Sequence, residues 1–133
     1  MKNIYYLAST VFVLSLMSCE KEVSPEQVRE TLSSGTWHVS YYSISGDVSF
    51  ALDEYDFTFQ ENGTLHVQGD GTDLNGDWSV GKVDGDNVLD LYLGHSTPFD
   101  GLDNDWEVSS HSSNRIETEN DDDGFSYLTF EKN

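Results

Sequence analysis

The chain has 133 residues, with 25 acidic side chains against six basic ones and a formal net charge of −19 at pH 7. Such a charge repels phosphate backbones and anionic headgroups, which excludes nucleic acid as a partner and leaves cations, cationic peptides and neutral molecules. High charge with modest hydrophobicity can accompany disorder, but three Trp, seven Tyr and seven Phe supply the bulk of a core, and the length suits one domain.

Met1-Lys2-Asn3 is a short positive region, followed by the uncharged run Ile4 to Met17. That is the layout of a secretory signal, and it falls short of the about 20 apolar residues that a membrane-spanning helix needs. The chain's single cysteine, Cys19, comes directly after it. Leu16-Met17-Ser18-Cys19 resembles the lipobox of bacterial lipoproteins, where cleavage before the cysteine frees a thiol and an amino group for acylation. The resemblance implies a removed signal at 1–18, acyl chains on Cys19 as a membrane anchor, and a place in the cell envelope, on the outer membrane of a Gram-negative bacterium. Each buried methylene contributes about 0.8 kcal/mol, so two or more chains hold firmly. The plain alternative is an ordinary signal peptide that happens to contain a cysteine. A lone cysteine also excludes an internal disulfide.

Residues 19–32 read as a tether and a short helix. Ser24 caps it, Pro25 suits its first position and Gln27 completes a capping box, while Val28 and Leu32 share one face. Such a helix would cover the end of whatever follows.

Residues 33–133 read as β throughout. Tyr55, Phe57 and Phe59 alternate with Asp56, Thr58 and Gln60, the period of a half-buried strand. Asn62-Gly63 predicts a tight hairpin with positive φ at both residues, and Asn75-Gly76, Asp84-Gly85 and Asp123-Gly124 predict further turns. Eight strands follow, at 36–44, 54–60, 64–69, 76–82, 87–93, 105–110, 114–119 and 126–131. Alternation turns inward Trp37, Val39, Tyr41, the three aromatics of the second strand, Leu65, Val67, Trp78, Val80, Leu89, Leu91, Leu93, Trp106, Val108, Ile116, Leu128 and Phe130. The expected fold is all-β, an eight-stranded up-and-down antiparallel barrel that closes to remove both edges, with a β-sandwich as the alternative. Strands this short favour a packed interior over a cavity.

Gly35-Thr36-Trp37, at the start of the first strand after a helical turn, resembles the opening signature of lipocalins and lipocalin-like domains. Gly76-Asp77-Trp78 and the closing SYLTFEKN are similar to small lipocalin-like lipoproteins of Bacteroidetes-type bacteria. The resemblance spans roughly 33–133 and implies a lipocalin-like barrel whose first Trp plugs the closed end. Larger lipocalins stack a late basic residue on that Trp and carry a C-terminal helix. Arg115 is the candidate for the former, and the chain has no room for the latter. Similar barrels host binders, inhibitors and a few enzymes, so the resemblance carries fold further than function.

Motifs for catalysis are missing. No G-x-S-x-G elbow accompanies the serines, and paired carboxylates such as Asp90, or Glu54 with Asp56, lack a polar cleft. His38 and His66 should point outward on separate strands, and no histidine pair has zincin spacing. The expectation is a non-enzymatic protein without a cofactor. Asp100, Asp103 and Asp105 form the candidate calcium site on a loop rich in oxygen ligands. An EF-hand aligned on Glu119, Asp121 and Asp123 fails, because Phe130 stands where a Glu is required.

Two functions remain. One is non-enzymatic binding of a small apolar or amphipathic ligand at the barrel mouth, by Trp37, Tyr41, Phe57, Trp78 and Trp106. The other is an interaction protein with a packed core, meeting an envelope protein partner through its acidic surface or the loop 94–106. Pro98 and Phe99 on that loop either make a contact point or fold back over the core.

Overall fold

The computed structural model describes residues 22–122 and 125–133. Cys19, the signal region and the Asp123-Gly124 turn lie outside the described residues. Among the described residues no helix is long and apolar enough to cross a membrane.

The helix α1 runs over Pro25–Leu32, and its predicted capping box forms: Ser24 Oγ accepts from the Gln27 N–H, and Gln27 Oε1 accepts from the Ser24 N–H. Both of its apolar residues, Val28 and Leu32, are fully buried. Among the described residues nine strands follow: β1 (Thr36–Ile44), β2 (Asp47–Val48), β3 (Asp56–Phe59), β4 (Thr64–Gly69), β5 (Thr72–Val83), β6 (Asp86–Tyr92), β7 (Asn104–His111), β8 (Arg115–Asn120) and β9 (Ser126–Lys132). Each pairs antiparallel with its neighbour in the order β2-β1-β3-β4-β5-β6-β7-β8-β9, and β1 also pairs with β9. Thus β1 and β3 to β9 make a closed eight-stranded barrel, with β2 a two-residue spur on β1. The sandwich alternative falls.

Meander topology sorts the connections. The turns at 60–63, 84–85 and 112–114 share one end with α1, called here the closed end. The segments 45–55, 70–71 and 93–103, with residues 121, 122 and 125, share the other, the loop end.

Edge-to-face aromatic pairs fill the space between. Trp78 meets Phe59 at 5.3 Å, Phe59 meets Phe130 at 5.3 Å, and Phe130 meets Phe57 at 5.4 Å. Phe57 then meets Phe99 at 6.3 Å and Phe99 meets Tyr55 at 4.8 Å. This chain of rings runs from the closed end to the loop end. All three indole N–H groups donate to backbone carbonyls: Trp37 to Leu32 at 2.9 Å, Trp78 to Gln60 at 2.8 Å and Trp106 to Leu102 at 3.0 Å. Buried donors therefore cost little here.

Several expectations need correction. The register of β1 against β9 shifts between Val39 and Tyr41, a bulge that inverts the alternation. Tyr41 consequently faces outward, 39% exposed, and Tyr42 takes the core position. A second shift falls between Val108 and Ser110; Val108, just before it, faces inward as expected and packs against the core, partly buried. His111 then pairs opposite buried Ile116 and reaches Thr31 of α1 at 2.9 Å. Asn75-Gly76 is no turn, for both lie inside β5 and the turn falls at Asp70-Gly71. Gly76 serves a close approach instead, since a Cβ there would collide with Tyr92 O and the Leu93 side chain. At Asn62-Gly63 only the glycine has positive φ, while Asn62 Oδ1 accepts from the Thr64 N–H.

The basic residue over the first Trp is Lys132, not Arg115. Lys132 Nζ sits 5.3 Å from the centre of the Trp37 ring, a cation–π distance, and donates to Ser34 Oγ at 2.8 Å. Lys132 pairs directly with Trp37 across the β1–β9 closure.

Candidate functional site

The mouth of the barrel lies at the loop end, where the 93–103 connection turns inward. Phe99 is 1% exposed and Leu102, at the end of the 3₁₀ turn Asp100–Leu102, is fully buried. Both join the core, together with Leu52 and Tyr55 from the 45–55 connection. The apolar character of Phe99 thus serves closure of the mouth. Asp103 holds the loop down. Its carboxylate is 2% exposed and accepts from the N–H groups of Leu93 and His95, while His95 Nδ1 lies 3.1 Å away. The Tyr42 hydroxyl packs against Gly101, where a Cβ would collide with it. Burial, with Asp100 adding to it, pushes the Tyr42 phenol up to about 12, so it stays a neutral donor.

The five residues expected to line a ligand site do not converge. Trp37 and Trp78 sit toward the closed end, Phe57 opposite Trp37 on β3, and Trp106 toward the loop end, all buried within the packed core. Tyr41 lies outside the barrel wall. The calcium candidates are likewise apart in role: Asp100 faces Tyr42, Asp103 holds backbone N–H groups, and Asp105 stands across from Asp90. Among the described residues no group of three or more His, Cys, Asp or Glu is placed to hold a metal ion.

Concavities open on the outer wall instead. One, of about 350 Å³, is lined by Tyr41, Arg115, Glu117, Tyr127 and Thr129. Another, of about 260 Å³, touches the edge of Trp78 beside Gly63, Asp77, Ser79, Asp90 and Tyr92. Two smaller ones, of about 200 and 160 Å³, share Val83, Val88 and Asp105. None of the four has Trp37, Phe57 or Trp106 in its lining.

The wall formed by β5 to β8 is strongly acidic. Burial raises the Asp90 carboxyl above its ordinary value, and Asp105 raises it further. Glu107 is raised by Asp86 first, then by slight burial and by Glu119 and Asp121. The sign follows: a carboxyl raised in the fold is destabilising when ionised, and the fold gains as pH falls from neutral through that raised value. Asp90→Asn removes the repulsion across the β6–β7 pair. It is expected to raise the melting temperature at pH 7 by about 2 °C, with no gain near pH 3. A fall at pH 7 in differential scanning fluorimetry would contradict this.

Sequence reasoning missed the outer wall around Tyr41 because the bulge hid which face that side chain takes. It also missed the role of Asp103, which depends on loop geometry that no local pattern encodes.

No family model matches the chain, and no curated protein matches it either. Among solved structures, it is similar to a DUF4847 family protein from Bacteroides vulgatus at TM-score 0.59 and 17% identity, covering 80% of this chain and 97% of that one. It is also similar to a lipocalin-like protein from Bacteroides uniformis at TM-score 0.50 and 17% identity, covering 77% and 99%. At such identities the likeness speaks for architecture alone. With its closed eight-stranded antiparallel barrel and capping helix, the chain has a lipocalin-like fold.

Proposed function

We propose that this is a lipid-anchored envelope protein, non-enzymatic, that meets a protein partner through the loop end of a filled barrel. The observation that carries the reading is the continuous chain of buried rings from Trp78 to Tyr55. A small ligand carried inside would require Phe99 and Leu102 to leave the mouth against the hold of Asp103. Binding at the exterior needs no such rearrangement.

Polarity of the molecule supports the choice of the loop end. Asn87 Nδ2 donates to Val23 O at 2.7 Å, fixing chain entry beside α1 at the closed end. From Cys19 to Val23 an extended chain spans at most about 14 Å. Acyl chains on Cys19 would therefore hold the closed end near the bilayer. Among the described residues the basic side chains, Arg29, Lys82, Arg115 and Lys132, all stand toward that end. The loop end carries exposed Phe50, Phe125 and Val48, at 74%, 62% and 52%, with exposed Asp47, Asp53, Glu54, Asp70 and Asp122 around them. The Ser45 N–H, bonded to Ser126 Oγ at 3.2 Å, joins the two connections that bear the aromatics. Apolar contacts ringed by carboxylates suit a partner with apolar anchors flanked by Lys or Arg.

Two measurements in the native host test this. Palmitate labelling is expected in the wild type and should vanish in Cys19→Ser. A photo-crosslinking side chain at position 50 is expected to give a discrete adduct, and one at position 82 none. Unlabelled wild type would remove the anchor; equal adducts from both positions would remove the loop end as the contact.

A further inference from the structure

The outer wall of β8, β9 and β1 holds a concavity of about 350 Å³ lined by Tyr41, Arg115, Glu117, Tyr127 and Thr129. Its geometry follows from register. Tyr41, Thr129 and Glu117 stand in one row across the three strands, and Tyr127 stands in the next row with Glu119 and Ser43. Arg115 stands in the row on the other side, with Glu131 and His38. The two tyrosines are thus diagonal neighbours flanking a threonine floor.

The bonding of these groups is uneven. Arg115 is committed twice, to Glu117 at 2.9 Å and to Glu131. Tyr41 and Tyr127, about two-fifths exposed, have no side-chain hydrogen bond or ring contact to another described residue. Thr129 is only 7% exposed and lines the floor; its hydroxyl has no partner among the described residues and opens to the surface of the hollow. Two aromatic faces and three hydroxyls therefore stand unpartnered around one hollow.

We propose that this hollow is a binding site for a neutral saccharide ring. An anion finds no uncompensated cation there and approaches a chain of net charge −19. A cation finds the one carboxylate of the lining, Glu117, already bonded to Arg115, as Glu131 is, while Glu119 stands a row away opposite Glu107 and outside the lining. A sugar offers an apolar C–H face to stack on tyrosine and a rim of hydroxyls that donate and accept. That matches phenolic and threonine hydroxyls flanked by a guanidinium–carboxylate pair. The volume suits one ring, at the low end of small-molecule sites. The site is separate from the loop-end contact, so either can stand without the other.

The test is saturation-transfer NMR on the full chain in detergent, with maltose, cellobiose and lactose each at millimolar concentration. Transfer to ring C–H protons of at least one disaccharide is expected. Binding should weaken about ten-fold in Tyr127→Ala and in Tyr41→Ala. Thr129→Val, which keeps the side-chain shape, should weaken it as well. Tyr92→Ala, removing an exposed tyrosine on another part of the wall, should leave it unchanged. Tyr41→Phe and Tyr127→Phe keep the rings in place and are expected to retain stacking with partial loss. No transfer from any of the three sugars to wild type would overturn the proposal. So would transfer that survives both alanine variants, or binding of tetramethylammonium in place of the sugars.

Discussion

Phe99→Ala is expected to lower the free energy of unfolding by about 3–5 kcal/mol, the range for a buried Phe truncated in a core. The side chain is 1% exposed and stacks edge-on against both Tyr55 and Phe57. Its removal leaves a void at the mouth that the barrel wall cannot collapse to fill, because β3, which carries Phe57, is held by β1 and β4. Urea unfolding followed by tryptophan fluorescence measures the loss. A change below about 1 kcal/mol would mean that the loop swings freely and that the interior is accessible. The same variant serves a second purpose. If its cavity takes up a small apolar probe that wild type does not, Phe99 is what separates this barrel from a ligand carrier.

Asp103→Ala should cost about 2–3 kcal/mol by a different route. The carboxylate answers two backbone N–H groups at once, and Leu93 is nearly fully buried, so its amide would lose its acceptor without gaining water. The His95 amide, on an exposed residue, recovers most of its bond from solvent. Asp103→Asn keeps one acceptor oxygen and is expected to lose roughly half as much. Amide hydrogen exchange at Leu93 should rise in Asp103→Ala; unchanged protection there would show that another group holds the loop. Because Phe99 and Asp103 hold one segment, the double variant should lose less than the two single losses added.

Local chemistry was legible wherever it decided the outcome. The capping box at Ser24 and Gln27 announced α1, and alternation over Tyr55 to Phe59 announced β3, because both are dictated by residues close in sequence. Gly35-Thr36-Trp37 placed β1 and its buried indole for the same reason. What escaped depended on distant partners. Nothing in the string around Ser40 marks the bulge that puts Tyr41 outside and Tyr42 inside, since the slip is defined only against β9. Asn75-Gly76 carries a turn composition, yet Gly76 is there because Tyr92 and Leu93 press on the strand from across the sheet. Lys132 rather than Arg115 covers Trp37 because closure of the barrel brings the last strand beside the first. The unpartnered hydroxyls at Tyr41, Tyr127 and Thr129 belong to that closure too, so no local pattern could have assembled them.

The way the chain enters the barrel also sets how it would bear mechanical load. Were Cys19 acylated as proposed, a pull on that anchor would arrive first at Val23, held by Asn87, and then at α1, held by Arg29 on Val80 O at 2.7 Å. These few bonds and the apolar face of one short helix are weaker than the β1–β9 seam, which is paired from Trp37 to Ser43. Under tension α1 would peel away first, lengthening the leash while the barrel stayed shut. The helix would then act as a shock absorber, giving way reversibly before the fold it covers.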